Sequence, residues 1–316
     1  MKKSIFIVFL ILSFNTLSQK KFSKELSVTS DNDLYVSFKR DRYYTNGVFL
    51  NYSYLSKVKD VKIDKKIIEW QLSHEMFSPY KPIAPLKKEH DRPFAGHLFG
   101  GFSVKNVFKD HKIIKFSIEI GVIGPAAYGQ EIQDFIHTTF NFKQAEGWEY
   151  QIQNALSLSL NASFIKQLFM NEANFFDLNW ENHVQLGTTY TAVNTGINVR
   201  LGLLPLQKIM NSIAYKTQLN GSHTNYYNEP ESFIYIKPLL SYALYNATIQ
   251  GSFLNNTSEI TREIIPLIYN LELGIKFTLK KFNFGYSFNY NTSKSKGLRY
   301  INGNKFGKIT LNYSWN

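Results

Sequence analysis

The stretch Ile309-Thr310-Leu311-Asn312-Tyr313-Ser314-Trp315-Asn316 alternates apolar and polar side chains without a break. Successive side chains of an extended chain point to opposite faces, so all the apolar residues of this stretch fall on one face and all the polar ones on the other. Such strict alternation predicts a β-strand with one apolar and one polar face.

The same alternation recurs along most of the chain. It covers residues 48–55, 68–73, 115–122, 156–161, 176–181, 271–279 and 282–290. A soluble antiparallel sheet would also alternate, but it would rarely keep Glu and Lys inside so many strands. Apolar residues toward lipid and polar residues toward a lumen are typical of a transmembrane β-barrel. We therefore predict an all-β fold, an antiparallel barrel of about 12 strands, with turns or loops at 280–281 and 291–297.

The N-terminus predicts the compartment. A basic Met1-Lys2-Lys3 precedes an apolar run over residues 5–12, and small residues at 16–18 precede Gln19. This is the layout of a cleaved secretory signal. The alternative, a membrane anchor helix, needs about 20 apolar residues, more than this run contains. We predict a signal peptide over 1–18, a mature barrel over 19–316 and insertion in the outer membrane.

Composition agrees with a barrel and bounds its partners. The chain has 20 tyrosines, 26 phenylalanines and no cysteine, which excludes disulfides and thiolate chemistry. Its mean hydropathy of −0.24 argues against a helical membrane protein. The formal charge of +12 falls to +10 when Lys2 and Lys3 leave with the signal. A basic surface suits phosphorylated lipid head groups, or else the lysines simply fill exposed loops. We expect no nucleic-acid partner. We expect the protein to be a monomer.

One segment breaks the alternation. Residues 126–140, after Pro125, read as a short polar helix, which we expect near a site in the lumen. His137 shares a helix face with Gln130, Gln133 and Asp134, and the apolar stripe is Ile132, Phe135 and Ile136. Single histidines are usually structural, and that interpretation is given to His74, His90, His97, His111, His183 and His223.

Several motifs occur in a fixed order along the mature chain. They are DRYYTNG at 41–47, DRPFAG at 91–96, GVIGP at 121–125, GQEIQ at 129–133 followed by His137, GWEYQI at 147–152, and YING at 300–303. Together they resemble the outer-membrane lipid A 3′-O-deacylase family (LpxR). The resemblance implies a 12-stranded barrel with its site near the outer-leaflet end of the lumen. It also implies calcium-dependent hydrolysis of the 3′-linked acyloxyacyl chain from the lipid A of lipopolysaccharide.

The resemblance carries the site over residue by residue. The catalytic histidine falls on His137 and the family's threonine on Thr45. The Asn-Asp pair falls on Ser30-Asp31, or on Asn32-Asp33 if the register shifts by two. A lysine falls on Lys81, although Lys87 or Lys88 could serve. The resulting set is His137, Asp31, Thr45, Asn32 and Lys81 for catalysis, with Asp31, Asn32 and Asp33 as calcium ligands.

Two positions depart from the family. Ser30 stands where the ungapped register expects asparagine. Lys143 stands six residues after the histidine, where the family can carry a glutamate, and the nearest glutamate is Glu146. These departures leave open a non-catalytic barrel, either an inactive family member or a porin.

Ester hydrolysis needs a nucleophile, a base and stabilisation of the oxyanion. No G-x-S-x-G elbow is present, which disfavours a serine hydrolase such as a barrel phospholipase. We therefore predict that His137 activates a water molecule and that Thr45 positions water or substrate. Asp31 or Asp33 would orient the imidazole or bind calcium, which prefers oxygen ligands. Lys81 or the Gly124 region would share the oxyanion.

Overall fold

The computed structural model describes residues 21–36 and 42–316, and these form a closed barrel of 12 antiparallel strands in which β1 pairs with β12. The strands are β1 (Lys24–Asn32), β2 (Tyr43–Ser56), β3 (Ile63–Ser78), β4 (Ala95–Phe108), β5 (Lys112–Ile123), β6 (Ala155–Met170), β7 (Phe176–Gly187), β8 (Tyr190–Gly202), β9 (Ser232–Asn246), β10 (Leu267–Leu279), β11 (Phe282–Asn291) and β12 (Asn304–Trp315).

The predicted barrel and strand number are confirmed, and each alternating segment lies in a strand. In β12, Leu311 and Tyr313 face outward while Asn312 and Ser314 are buried toward the lumen. The predicted signal peptide over 1–18 lies outside the described residues. Of the residues described, none belongs to a helix long and apolar enough to cross a bilayer.

The two ends of the barrel differ in their connections. On the side of the strand termini Lys24 and Trp315, most turns are short: 57–62, 109–111, 171–175 and 280–281. The opposite end carries one short turn, 188–189, and five longer connections: 33–42, 79–94, 124–154, 247–266 and 292–303. Outer-membrane barrels have short periplasmic turns and long external loops. The end opposite the termini, called the outer rim below, is therefore the external one.

One periplasmic connection is long and fills the lumen. Residues 203–231, the plug segment, run inside the periplasmic half of the barrel. Lys65 of β3 donates hydrogen bonds to Asn211 Oδ1 (3.0 Å) and to the Thr217 carbonyl (2.9 Å). Ile209 and Leu219 of the plug segment pack with Ile67, Val107 and Ile113 of the wall. The alternation did not predict this segment, because it is neither strand nor helix.

The outer rim carries the helical elements. The predicted helix is confirmed as α1 (Gly129–Thr139), preceded by a 3₁₀ turn over Pro125–Ala127. Further 3₁₀ turns cover Asp33–Tyr35, Lys87–Glu89 and Trp148–Tyr150, and a single-turn helix α2 covers Ala247–Gln250.

Candidate functional site at the outer rim

Helix α1 lies at the outer rim, but on the outside of the barrel wall and not in the lumen as expected. His74 shares its strand face with the exposed Trp70 and Leu72, so its side chain points outward. Its Nε2 donates a hydrogen bond to the Ala127 carbonyl (2.9 Å), just before α1. Inward-facing side chains of the same strand, such as Glu75 and Phe77, line a cavity in the lumen on the other side of the wall.

Two glycines allow the helix to approach the wall. A Cβ at Gly96 of β4 would lie 3.1 Å from the Gly129 backbone nitrogen. A Cβ at Gly129 would lie 2.7 Å from the Trp148 ring. Trp148 is buried on Phe94 and donates a hydrogen bond to Gln133 Oε1 (2.7 Å). Helix α1 is thus held between β4 and the segment that follows the helix.

We expect Gly129→Val to detach α1 from the wall, because the new side chain would collide with Trp148, which Phe94 prevents from moving. Proteinase K should then cleave the folded variant within residues 124–154 at least tenfold faster than it cleaves the folded wild-type barrel. The matched control is Gln130→Val, which alters the neighbouring exposed position. Equal cleavage of the two variants would contradict this packing.

The buried face of α1 is polar. Gly129, Gln133 and His137 are its buried residues, at i, i+4 and i+8. The apolar stripe lies elsewhere, and Phe135 is 72% exposed. Tyr128, Phe140 and Phe142 are also exposed, so an aromatic surface borders the buried histidine. This surface lies on the outside of the barrel at the outer rim.

A backbone carbonyl fixes the protonation of the His137 ring. Nδ1 lies 2.5 Å from the Lys143 carbonyl oxygen. Because a carbonyl only accepts, the neutral ring carries its proton on Nδ1, which makes Nε2 the basic nitrogen. The ring also packs edge-on against Phe142, with 5.8 Å between centroids. Position 143 therefore orients the histidine through its main chain, whatever its side chain.

Thr45 is displaced by a β-bulge. The pairing of β2 with β3 shifts between Tyr44 and Asn46, which leaves Thr45 as the extra residue. Its hydroxyl makes a short hydrogen bond to Ser78 Oγ, and both side chains are buried. Ser78 has the same strand parity as His74, so this pair of hydroxyls lies on the outer face, the side that carries α1. Sequence reasoning missed Ser78, since nothing marks a lone serine at a strand end.

The Asp31-Asn32-Asp33 run spans the end of β1 and the start of the 3₁₀ turn, so its side chains have different surroundings. Pairing of β1 with β2 ends at Asn32 opposite Asn46, so Asp33 and Thr45 are the next residues on the two strands. Asn32 Oδ1 accepts from the Leu34 N–H (2.7 Å) and caps the 3₁₀ turn. Asp33 is buried and accepts from the Arg42 N–H (2.9 Å).

Asp31, by contrast, points into the lumen. It accepts a hydrogen bond from Tyr44 Oη (3.0 Å) and lies 3.9 Å from Lys308 Nζ. It lines a lumen cavity of about 480 Å³ that also contains Arg92 and Lys294. Burial lowers the pKa of the Arg92 guanidinium to about 10, so this loop residue stays charged at neutral pH. Asp33 and Thr45 thus follow the last paired residues of β1 and β2, whereas Asp31 faces the lumen.

Lys81 lies in the loop beside α1. Ile83 pairs with Glu146 in an isolated parallel bridge, with the Glu146 N–H donating to the Pro82 carbonyl (2.9 Å). This bridge joins the exposed Lys81 to the segment that carries the Lys143 carbonyl. Of the two alternatives, Lys87 is paired with Glu259, and Lys88 is exposed in the 3₁₀ turn.

The three predicted calcium ligands, Asp31, Asn32 and Asp33, make different contacts in the structure. Within residues 21–36 and 42–316, no group of three or more His, Asp or Glu side chains is arranged to hold a metal ion. Asp31 lines the lumen cavity, and the Asn32 amide oxygen accepts the capping hydrogen bond. The Asp33 carboxylate and the Thr45 and Ser78 hydroxyls are oxygen donors near the ends of β1, β2 and β3. Their chemistry suits calcium, which prefers carboxylate and other oxygen ligands.

A serine–histidine–glutamate chain does occur inside the barrel. His97 Nε2 lies 2.9 Å from Ser157 Oγ, and its Nδ1 lies 3.1 Å from Glu75 Oε2. Ser157 is buried near the start of β6, and Thr189 also donates to its hydroxyl (2.8 Å). The neighbouring Leu158 N–H donates to Thr188 Oγ1 (2.9 Å) and is therefore already used. We assign this chain to the lumen packing, so it gives the phospholipase alternative no support.

The family sequence model described as "Outer membrane protein LpxR" matches residues 5–315. The chain belongs to the LpxR family. Its structure resembles LpxR from Salmonella typhimurium, with a TM-score of 0.73 and 20% identity, covering 92% of this chain and 99% of that one. The β domain of the Bordetella autotransporter BrkA is more distant, with a TM-score of 0.46 and 8% identity over 94% of this chain and 99% of that one. No curated protein matches. This LpxR-family chain is thus an outer-membrane β-barrel.

Proposed function

We propose that this LpxR-family barrel is a lipid A 3′-O-deacylase, a hydrolase that removes the 3′-linked acyloxyacyl chain from lipopolysaccharide. The observation that carries the proposal is His137, held by the Lys143 carbonyl in the tautomer with a basic Nε2. It lies on the outer wall at the outer rim, beside exposed aromatic side chains. An acyl chain of lipid A can reach this position without leaving the leaflet.

The proposed reaction is general-base hydrolysis of an ester. His137 Nε2 accepts a proton from water, and the water oxygen forms a bond to the ester carbonyl carbon. The tetrahedral intermediate then breaks its bond to the sugar 3′-oxygen, which takes the proton back from the imidazolium. The products are the free acyloxyacyl acid and the sugar hydroxyl. The Lys81 ammonium is the proposed partner of the oxyanion.

Thr45 and Ser78 are proposed to position the water or the ester. Their short mutual hydrogen bond fixes both hydroxyls, and the bulge at Thr45 directs them outward. Calcium, if held by Asp33 with these hydroxyls, would supply Lewis-acid polarisation of the ester carbonyl. Asn32 holds the turn that carries Asp33. Asp31 has no direct part in this proposal and serves the lumen instead.

The non-catalytic alternatives meet two observations. A porin needs an open channel, whereas the plug segment crosses the periplasmic half of this lumen. The inactive family member rests on Ser30 and Lys143, but the Lys143 carbonyl orients His137 whatever side chain stands at position 143.

We expect Lys143→Ala to retain deacylation within about threefold of wild type, because the main-chain carbonyl that orients His137 is unchanged. The rate should be compared with Lys143→Pro, which restrains the backbone around that carbonyl and should be slower. A loss of more than 100-fold in Lys143→Ala would assign the role to the side chain.

The direct test uses purified, folded barrel in detergent with lipopolysaccharide as substrate. Mass spectrometry of the released fatty acids should detect the acyloxyacyl acid in the presence of calcium. The barrel could instead release unbranched acyl chains from glycerophospholipid and nothing from lipopolysaccharide. That result would contradict the proposal and identify a phospholipase.

A further inference from the structure

The middle of the lumen contains a cationic chamber. It has a volume of about 380 Å³ and lies between the plug segment and the outer half of the barrel. Six lysines line it against two glutamates; they are Lys105, Lys115, Lys216, Lys237, Lys276 and Lys308, with Glu69 and Glu272. An adjoining cavity of about 260 Å³ shares five of these lysines and adds Glu181.

Two of the lysines are neutralised by the glutamates. Lys115 forms a short ion pair with Glu69. Lys237 lies between Glu272, at 3.2 Å, and Glu181, at 3.6 Å. The three carboxylates that line the chamber and the adjoining cavity are therefore paired with two ammonium groups.

Three other lysines have no such partner. Among the residues that the structure describes, no carboxylate oxygen lies within 4.0 Å of the Nζ atom of Lys105, Lys216 or Lys276. Lys105 donates to the Tyr215 carbonyl (2.9 Å), Lys276 to the Ala214 carbonyl (3.4 Å) and Lys216 to Ser27 Oγ (3.0 Å). An ammonium carries three N–H donors. Each of these lysines therefore keeps donors that can serve a ligand in the chamber.

The three lysines come from different parts of the structure. Lys105 belongs to β4 and Lys276 to β10, while Lys216 belongs to the plug segment. Lys216 has a φ of 52°, an unusual left-handed conformation for a side chain of this kind. Such conformations persist only where the surrounding structure holds them, often at ligand sites. A ligand between the three ammonium groups would join the plug segment to both walls.

We propose that the chamber binds a small multivalent oxyanion, phosphate or pyrophosphate in chemical class, held by Lys105, Lys216 and Lys276. Buried ammonium groups that outnumber the carboxylates around them are costly, and an oxyanion offers both negative charge and several acceptor oxygens. The chamber lies in the lumen, between the barrel wall and the plug segment, whereas lipid acyl chains contact the outside of the wall, so the head group of a membrane-embedded lipid does not reach it. The ligand is therefore a free anion, and the site is independent of the proposed deacylase site on the outer wall.

The test is isothermal titration calorimetry of the folded, full-length barrel in detergent, with inorganic phosphate and with pyrophosphate in a dilute chloride buffer. We expect saturable binding of one anion, tighter for pyrophosphate. Lys105→Gln and Lys276→Gln should each weaken it about tenfold. Lys112→Gln is the control, because Lys112 lies at a periplasmic turn beside the exposed Asp110. This variant should bind the anions as tightly as wild type.

A second measurement covers the case in which a variant fails to fold. The melting temperature of wild-type barrel should rise in pyrophosphate but not in sodium chloride of equal ionic strength. Folded wild type that neither binds the anions nor melts higher in pyrophosphate would overturn the proposal. Binding that Lys112→Gln weakens as much as Lys105→Gln would overturn it as well, since it would then be a general effect of surface charge.

Discussion

Replacement of His137 by alanine is expected to lower the rate of lipid A deacylation by about 100-fold or more, which is the contribution of a positioned general base. The variant removes the nitrogen that would accept the proton of the attacking water. It also leaves the Lys143 carbonyl without the donor it now has. The barrel itself should persist, because α1 is held to the wall mainly through His74, Gly129 and Trp148.

The rate should be followed as appearance of the released acyloxyacyl acid, with heat-modifiable migration on a gel as the test of folding. His223→Gln provides the control, since that histidine is exposed in the plug segment, at the periplasmic half of the barrel. Unchanged deacylation by folded His137→Ala would remove the residue from the mechanism. The hydroxyl pair of Thr45 and Ser78 would then be the next candidate for a catalytic role.

Replacement of Arg200 by methionine is expected to lower the free energy of unfolding by about 3–5 kcal/mol, the usual effect of removing one partner from a buried ionic network. Arg200 is fully buried and forms ion pairs with Asp177 of β7 and, at 2.9 Å, with Glu231 at the end of the plug segment. It also donates to Ser212 Oγ (2.5 Å). Its loss leaves two buried carboxylates without their cation.

This prediction is checked by urea unfolding of the barrel in lipid vesicles, with tryptophan fluorescence as the signal. Lys296→Met is the matched control, because the Lys296–Glu263 pair is exposed in the outer loops and should contribute nothing measurable. Ion conductance through planar bilayers should also rise in Arg200→Met as the plug segment loosens. Equal stability of Arg200→Met and wild type would contradict the assigned role of the network.

The barrel could be predicted from the sequence because its strands obey a period of two that is visible in stretches such as 282–290 and 309–315. Helix α1 could be predicted for the same kind of reason, since its residues stop alternating after Pro125. The position of α1 relative to the barrel wall could not be predicted. The polar face of α1, with Gln133 and His137, is the buried one, and only the wall contacts of Gly96 and His74 show that the helix lies outside.

The candidate site was predicted in part. His137 and Thr45 emerge from motifs, and the structure puts both at the outer rim. The divided run of Asp31 and Asp33 could not be anticipated, because it depends on where β1 ends and the 3₁₀ turn begins. The Lys143 carbonyl is a main-chain group and leaves no trace in the residue type.

The plug segment is the largest feature that the sequence concealed. Residues 203–231 have no periodicity, and their contacts are scattered hydrogen bonds to lumen lysines such as Lys65 and Lys105. Those lysines read as ordinary polar residues of alternating strands. Their concentration around one chamber becomes visible only when the barrel is closed.

The most direct test of the account is the lipid A mass spectrum of a bacterium that expresses this chain in its outer membrane, recorded with and without chelation of calcium. The account predicts the loss of one acyloxyacyl unit from the 3′ position, and the loss should disappear on chelation. An unchanged spectrum from cells that contain folded barrel would contradict the deacylase proposal and favour a non-catalytic member of the family.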